Sequence, residues 1–223
     1  MGVTMSMNTD AVTFYDRAGP DTYELITHLS AWQGPSDMAM MLRDVNLRDA
    51  TVVDVGIGNG PLSDLFRSAG AARIIGIDGA QSQLDYCLKN NRADEVVCCD
   101  LNEFDMPLED ASADVITCSG LFSYLAEPSL FVADIARVLK PEGTALINFH
   151  PSRKQRELER ISAVSLFGQG AFVNVYHHAP EDLATHFANA GMRVAAVKTN
   201  PRGIYRFMTD TPLPLTTMAL RKL

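Results

Sequence analysis

The chain alternates short apolar runs with segments in which apolar residues recur at helical spacing. The runs are uniformly hydrophobic rather than alternating, which is typical of parallel strands covered on both faces. Five such runs lie at residues 51–55, 73–77, 96–99, 113–118 and 143–149. Helical spacing is found between them, at residues 61–69, 80–89 and 128–140. This order predicts right-handed βαβ units that build one parallel sheet.

Helical segments in the first half of the chain each show one apolar face. The segment 1–48, which precedes the first strand, predicts helices only. The positions that define the apolar faces are Leu25, Ile26 and Leu29 in that segment, and Leu84, Cys87 and Leu88 in the helix at 80–89. We expect these faces to pack against the rest of the protein.

The chain beyond the fifth strand divides into two further segments. Residues 151–178 begin with interleaved acidic and basic side chains, which favour a solvated helix face, and then turn apolar. Residues 179–223 predict a helix from Pro180 to Ala190, with Gly191 as its cap, followed by two closing strands. The sequence shows neither internal repeats nor a low-complexity linker, so we predict a single domain over residues 1–223.

Composition and charge narrow the class of protein. The chain has 223 residues with 47% hydrophobic and 21% charged side chains, which is ordinary globular composition. The formal net charge is −8, and residues 93–136 hold ten carboxylates without a lysine or arginine. Such a surface repels phosphate backbones and makes a nucleic-acid substrate unlikely. With no long apolar run and no basic residue before Arg17, the sequence favours a cytoplasmic protein without a membrane segment.

The four cysteines do not indicate a metal site. They occupy positions 87, 98, 99 and 118, and none forms a C-x-x-C pair. Neighbouring residues on a strand point to opposite faces, so Cys98 and Cys99 are not expected to share a metal ion. Buried structural thiols are the expected state of these side chains.

A glycine-rich loop follows the first predicted strand. Gly56, Gly58 and Gly60 alternate before a helix begins, and Asp78 ends the second strand 18 residues after Gly60. Glycines allow a tight turn and a close approach of the backbone to a ligand, while the following helix presents free N–H groups. A carboxylate at the end of the second strand can accept both hydrogen bonds of a ribose diol. The pattern predicts a nucleoside ligand.

Two nucleoside cofactors match this pattern. The spacing is G-x-G-x-G rather than the G-x-G-x-x-G of dinucleotide sites, and Asp54 precedes the loop, where a pyrophosphate would meet a negative charge. A ligand that carries a cationic group, such as S-adenosylmethionine, tolerates Asp54 better. A nicotinamide-dependent oxidoreductase remains the alternative, to be separated by thermal-shift measurements with both cofactors.

The motifs in order resemble those of class I S-adenosylmethionine-dependent methyltransferases of the small-molecule branch. The resemblance covers roughly residues 51–149 and is weaker from 180 to 223. It rests on Asp54-Val-Gly-Ile-Gly-Asn-Gly60, Ile77-Asp78, Cys99-Asp100-Leu101, Asp114-Val-Ile-Thr-Cys-Ser-Gly120 and Arg137-Val-Leu-Lys-Pro-Glu-Gly143. In the last motif Glu142 stands where the family usually has a glycine. The resemblance implies a Rossmann-like, doubly wound α/β fold with a seven-stranded sheet. That sheet is mostly parallel with an antiparallel C-terminal strand, beneath an N-terminal helical cap.

The resemblance also implies a cofactor site. Asp78 would bind the ribose hydroxyls, Asp100 the exocyclic amine of adenine, and the backbone at Leu101 the adenine ring. The residues expected to bind S-adenosylmethionine, or the product S-adenosylhomocysteine, are Tyr23, Asp54, Gly56, Gly58, Asp78, Gly79, Asp100, Leu101 and Ser119. Asp78 could alternatively cap the helix that follows it. Within the single domain, residues 49–150 would form the cofactor-binding core.

The sequence defines the site of the methyl acceptor less closely than the cofactor site. The resemblance implies in-line transfer of a methyl group to an oxygen, nitrogen or carbon atom of a small molecule, without a metal ion. The candidate catalytic residues are His150, His177 and Tyr124. His150 follows the fifth predicted strand and His177 precedes a predicted helix, and a histidine can serve as a general base. Tyr124 could form a wall against an aromatic acceptor and attract the sulfonium. The segments 1–48, as a helical cap, and 151–178, as an insertion, would build the acceptor pocket. A catalytically silent cofactor-binding partner protein remains an alternative, and a homodimer is compatible with the sequence.

Overall fold

The structure is a computed structural model that describes residues 10–102, 105–152, 156–162, 172–205 and 211–223. The described strands are β1 (Thr51–Val55), β2 (Arg73–Asp78), β3 (Glu95–Cys98), β4 (Ala113–Cys118), β5 (Leu139–Phe149), β6 (Arg156–Ser162), β7 (Phe172–His178), β8 (Met192–Tyr205) and β9 (Pro212–Lys222). The described α-helices are α1 (Ala11–Leu29), α2 (Gly34–Leu42), α3 (Ser63–Ser68), α4 (Gln81–Lys89), α5 (Pro128–Val138) and α6 (Pro180–Asn189). A 3₁₀ helix spans Leu121–Tyr124.

Seven strands form the central sheet, in the order β3-β2-β1-β4-β5-β9-β8. The pairs among β1 to β5 are parallel, whereas β9 runs antiparallel to both of its neighbours. The direction in which successive strands are added reverses at β1, because β2 and β3 lie on one side of it and β4 and β5 on the other. This is a doubly wound arrangement, and such sheets bind ligands at that switch point. The predicted Rossmann-like fold with one antiparallel C-terminal strand is confirmed.

The apolar runs are buried on both faces of the sheet. In β1, Val53 and Val55 belong to one core cluster, whereas Val52, between them, belongs to the cluster on the opposite face. The same division holds in β4 for Ile116 and Val115. Because successive side chains point to opposite faces and helices cover both, most strand positions are apolar. Two buried polar exceptions, Asp54 in β1 and Thr117 in β4, hydrogen bond to each other.

The expected apolar faces of two helices are partly wrong. Leu25 and Leu29 on α1 are 54% and 56% exposed. α1 bends at Gly19, whose φ is 68°, and lies across an open cleft rather than on the closed core. On α4, Leu88 is 49% exposed, and the buried face is formed by Gln83, Leu84 and Cys87. The face is rotated by one position, which brings a polar residue into the buried surface.

The insertion after β5 contains a hairpin where a helix was predicted. β6 pairs antiparallel with β7 in a separate two-stranded sheet, from Arg156 opposite His178 to Ser162 opposite Phe172. The prediction of a solvated helix face for the charged part of this segment is therefore wrong. The local alternation of charges did not reveal β7, which supplies the backbone hydrogen bonds of β6. Part of the charged segment, residues 153–155, lies outside the described residues.

A helix that crosses a bilayer must be long and apolar, and this requirement can be applied to the described helices. None of them combines at least 18 residues with sufficient apolar character to span a membrane.

Candidate functional site

A cleft opens at the carboxyl ends of the central strands. It encloses about 1190 Å³ of empty space, including its open mouth. One wall comes from the ends of β1, β2, β4 and β5, and α1 covers it from the opposite side. The residues expected at the site that line this cleft are Tyr23, Gly56, Gly58, Asp78, Gly79, Asp100, Leu101, Ser119, Tyr124 and His150. Side chains scattered over 128 positions of the sequence therefore meet at one edge of the sheet.

The glycine loop adopts a backbone that ordinary side chains rarely take. Gly56 and Gly58 have φ values of +68° and +53°. A Cβ atom on Gly58 would lie 3.2 Å from the ring of Tyr23, and one on Gly56 would lie 3.1 Å from Leu121. Two backbone N–H groups of the loop, those of Gly56 and Ile57, donate to the carbonyl of Ile77 on β2. The loop is thus held open as a side-chain-free cradle in the cleft wall.

Asp78 joins the glycine loop to the helix that follows β2. Its Oδ2 accepts a hydrogen bond from the Gly58 N–H at 2.9 Å, and its Oδ1 accepts one from the Ala80 N–H at 2.9 Å. Burial raises the pKa of this carboxyl, and the backbone donors oppose the rise. The alternative that Asp78 caps α4 is wrong, because Ala80 is the N-cap residue and no described side chain caps that helix. Asp78 instead orders the turn before α4 and lines the cleft.

Asp54 lies behind the glycine loop rather than in the cleft wall. Its side chain is buried, and its Oδ1 accepts a hydrogen bond from the Thr117 hydroxyl at 2.6 Å. Burial raises the pKa of Asp54 to about 7, the Thr117 hydrogen bond lowers it, and the charge of Asp78 raises it further. A cation on the cleft side of the loop would favour the ionised form of Asp54.

One end of the cleft lies between β2 and β3. Asp100 and Leu101 follow β3, and the Asp100 Oδ1 accepts a hydrogen bond from the Asn102 N–H at 3.0 Å. Across from them, Val12 of α1 packs so closely on Gly79 that a Cβ atom on the glycine would lie 2.4 Å from it. The valine takes the space of a side chain at position 79. Both apolar and acidic side chains line this end of the cleft.

The loop after β4 is held by a buried amide. The Gly120 N–H donates to the Asn148 Oδ1 at 2.7 Å, and the Asn148 Nδ2 lies 3.4 Å from the Ser119 Oγ. Asn148 is completely buried in β5. It fixes Gly120 in its left-handed conformation, with φ of 86°, and thereby places Ser119 at the cleft.

Three tyrosines from two parts of the chain meet over the middle of the cleft. The ring centroids of Tyr15 and Tyr23 are 5.6 Å apart, as are those of Tyr15 and Tyr124. The hydroxyls of Tyr15 and Tyr124 are hydrogen bonded at 2.5 Å. Burial is the largest cause of the raised pKa of each of the three, so all remain neutral phenols. α1 is attached to the rest of the cleft through these rings and through Asp16, which accepts from the Ser82 N–H.

His150 follows β5 and is buried at the other end of the cleft. Its Nδ1 lies 3.2 Å from the carbonyl oxygen of Pro214, which can only accept a hydrogen bond. Donation from Nδ1–H leaves Nε2 as the acceptor in the neutral ring. Burial lowers the pKa of His150, and the Pro214 carbonyl opposes the change.

His177 stands beside this ring, outside the cleft wall. The ring centroids of His150 and His177 are 5.4 Å apart, and the His177 Nε2 lies 3.0 Å from a carboxylate oxygen of Glu159. The structure therefore brings His177 next to the cleft without placing it among the lining residues. Its contacts suit a positioning role.

Several cleft residues were absent from the sequence-based expectation. Gln83 and Ser123 are buried, line the cleft, and carry polar side-chain atoms without a hydrogen-bond partner in the described structure. Trp32, Val175 and Ile204 add apolar surface near His150 and Ser123 in the same cleft. For Gln83 a signal existed, because it shares a helix face with Leu84 and Cys87. The other positions carry no local signal.

The described residues contain histidine, cysteine and carboxylate side chains, which are the usual protein ligands of metal ions. No cluster of three or more histidine, cysteine, aspartate or glutamate side chains in that part of the chain is arranged to hold a metal ion.

The chain is similar in sequence to known methyltransferases. A methyltransferase domain model matches residues 53–147. A ubiquinone biosynthesis O-methyltransferase from Neisseria meningitidis serogroup C is 31% identical over 163 residues, which are 69% of this chain and 68% of that protein. Another from Ralstonia nicotianae is 27% identical, aligned over 89% of this chain and 93% of its own length.

Solved structures share the fold at low sequence identity. A 1,6-didemethyltoxoflavin-N1-methyltransferase from Burkholderia thailandensis, solved with S-adenosylhomocysteine, superposes with a TM-score of 0.70 at 19% identity, over 99% of this chain and 93% of that chain. A magnesium protoporphyrin IX methyltransferase from Synechocystis, solved with S-adenosylmethionine, has a TM-score of 0.61 at 16% identity, over 89% of this chain and 81% of that chain. At these identities the likeness concerns the fold.

Proposed function

Because the chain belongs to the class I S-adenosylmethionine-dependent methyltransferases, we propose that it methylates a hydroxyl oxygen of a small, largely apolar acceptor. Oxygen as the acceptor atom is supported by the O-methyltransferases among its relatives and by a histidine suited to accept a hydroxyl proton. The family assignment also replaces the nicotinamide alternative. The observation that carries the proposal is that the glycine cradle and His150 line the same cleft.

The residues of one half of the cleft fit the family's cofactor. The cradle at Gly56 and Gly58 has no room for a Cβ atom and leaves the backbone open to a ligand. We propose that Asp78 binds the ribose hydroxyls, Asp100 the adenine amine, and the Leu101 N–H the adenine ring. S-adenosylmethionine, when bound, supplies a methyl group activated by its positive sulfur.

The remaining expected residues complete this half. Gly79 and Tyr23 would cover the cofactor, and the Tyr23 ring would also attract the sulfonium. Ser119 would donate a hydrogen bond from the loop that Asn148 holds. Asp54, from behind the loop, would stabilise the ammonium of the cofactor through its charge.

The other half of the cleft suits the acceptor. Trp32, Val175 and Ile204 provide apolar surface, and the Ser123 hydroxyl is an unpartnered polar group beside them. We propose that residues 1–48 and 151–178 act as the cap and insertion that shape this half. The described parts of both segments contribute lining residues, which supports the assignment.

His150 is the proposed general base. With Nδ1–H donated to the Pro214 carbonyl, Nε2 is free to accept the proton of the acceptor hydroxyl as the oxygen attacks the methyl group. The same carbonyl stabilises the imidazolium that forms. We assign His177 and Tyr124 to supporting positions: His177 orients the His150 ring, and Tyr124 holds Tyr15 and hence α1 in place.

The charge distribution supports a small molecule rather than a nucleic acid as acceptor. The formal net charge of −8 disfavours the binding of a phosphate backbone. A cytoplasmic location and a homodimer stay predictions, which cell fractionation and light scattering measure.

The proposal is tested by combining cofactor titration with methyl transfer. We expect S-adenosylhomocysteine to bind in isothermal titration, and labelled methyl to appear on members of a panel of small phenols rather than on the matching anilines. His150→Gln should lower kcat about 100-fold without changing cofactor affinity, whereas His186→Gln on α6, away from the cleft, should leave both unchanged. Transfer to the anilines alone, or full activity of His150→Gln, would contradict the proposal. Cofactor binding without transfer to any acceptor would favour the silent partner protein.

A further inference from the structure

Gln83 is a buried amide that the fold itself leaves unsatisfied. It is the third residue of α4, its side chain has no solvent exposure, and both Nε2 and Oε1 lack a hydrogen-bond partner in the described structure. Burying an unpaired amide costs stability, so nearly all such groups in folded proteins are paired. A side chain that is polar on an otherwise apolar helix face therefore calls for a partner outside the protein.

The position of Gln83 indicates what that partner is. Gln83 lines the cleft and lies in the first turn of α4, five residues after Asp78. Asp100 and Leu101 line the same end from β3. Gln83 offers one neutral donor and one neutral acceptor on the same amide, both without a partner in the described structure, whereas the amide of Asn102 at this end lies 3.4 Å from the Asp100 Oδ1. A ligand that satisfies both must present an acceptor beside a donor.

Adenine presents that pair along one edge. Its N7 accepts a hydrogen bond and its amino group donates one, and glutamine pairs with both at once. The amino group carries two N–H donors, so the proposed contact of Asp100 takes one of them and Gln83 takes the other, on the side of N7. Val12, packed on Gly79, provides an apolar surface for the base at this end of the cleft.

We infer that Gln83 recognises the adenine base of the cofactor, with Nε2 donating to N7 and Oε1 accepting from the amino group. This inference rests on the proposed function, because it needs an S-adenosyl cofactor in the cleft. It makes Gln83 a residue that selects an amino-substituted purine over one with an oxygen at the same position.

The first test needs no mutation. Titration calorimetry on the intact protein would compare S-adenosylhomocysteine with its 7-deaza analogue, which lacks the N7 acceptor, and with S-inosylhomocysteine, in which oxygen replaces the amino group. We expect each analogue to bind about tenfold more weakly. Equal binding of S-adenosylhomocysteine and the 7-deaza analogue would overturn the inference while leaving the proposed function intact. No binding of S-adenosylhomocysteine would overturn both.

A variant then assigns the discrimination to this side chain. Gln83→Met has nearly the same volume and no hydrogen-bonding amide, so it should bind S-adenosylhomocysteine and the 7-deaza analogue equally. The cofactor-free variant should also be more resistant to urea, because an unpaired buried amide is removed. Gln81→Met is the matched control, since Gln81 lies two residues earlier on the exposed side, where it donates to Asp85. The control should keep the preference for S-adenosylhomocysteine.

A ribose contact is the competing assignment for the same side chain. In that case Gln83→Met would bind S-adenosylhomocysteine and its 2′-deoxyribose analogue equally. The variant would still bind S-adenosylhomocysteine more tightly than the 7-deaza analogue. That result would overturn the inference. If Gln83→Met does not fold, Gln83→Glu provides the second variant, which keeps an acceptor and loses the donor, and should lose the preference for N7.

Discussion

Replacing Asp54 with asparagine tests the electrostatic cost of a carboxylate buried behind the glycine loop. The side chain is 2% exposed, and burial raises its pKa from 3.8 to about 7 despite the hydrogen bond from Thr117. Each unit of pKa corresponds to about 1.4 kcal/mol. The ionised carboxylate therefore costs the cofactor-free folded state about 4 kcal/mol at pH values above 7.

The sign of the pH dependence follows from proton binding. A carboxyl whose pKa is raised by folding keeps its proton to a higher pH in the folded state than in the unfolded chain. Between pH of about 4 and about 7 the folded state binds more protons, so the contribution of Asp54 to the free energy of unfolding decreases as pH rises. Below this window the group is neutral in both states, and above it the cost is constant.

Urea unfolding of the wild type and of Asp54→Asn, from pH 5 to 8.5, measures this cost. The asparagine remains neutral and keeps an oxygen that can accept from Thr117, so the difference between the two proteins isolates the titration of Asp54 from that of other groups. We expect the variant to gain stability relative to the wild type as pH rises toward about 7. Asp44→Asn, at an exposed position after α2, should give a difference that does not depend on pH. A constant difference for Asp54→Asn would refute the reasoning.

Three further predictions concern the cleft. Asp78→Asn places an amide N–H against one of the two backbone donors at Gly58 and Ala80 and removes the charge. We expect the Kd of S-adenosylhomocysteine to rise about 10- to 100-fold, and an unchanged value in calorimetry would exclude a ribose contact. Gly58→Ala forces φ of +53° on an L residue and should lower the free energy of unfolding by about 1–2 kcal/mol, which an unshifted urea midpoint would contradict. Because the pKa of His150 is lowered from 6.5, kcat should be constant above pH 7 and fall only below 6.5; a loss of rate beginning near pH 8 would assign the base elsewhere.

The predictable part of the fold is the part in which local sequence and tertiary environment agree. The predicted run 113–118 coincides with β4, because a strand that is covered on both faces is mostly hydrophobic. The predictable part of the site follows from the same agreement. Three alternating glycines after a strand need a special backbone, and Asp78 ends the next parallel strand, so both must meet at one sheet edge.

The missed features depend on partners that are distant in sequence. Residues 156–162 form a strand because β7 pairs with them, and their interleaved charges carry no trace of that partner. Leu25 and Leu29 are exposed because α1 covers a cleft instead of the closed core.

The sequence alone predicts the order of strands and helices from β1 to β5, the glycine cradle and the acids at the strand ends, because backbone conformation and two-sided burial restrict which residues can occupy those positions. Tertiary structure alone decided which side chains face the cleft. The hydrogen bond of His150 to Pro214 spans 64 residues, and the unpaired state of Gln83 exists only once α1 and the sheet have enclosed it. Hydrogen bonding and desolvation depend on neighbours that only folding brings together, and the proposed chemistry of this protein depends on them.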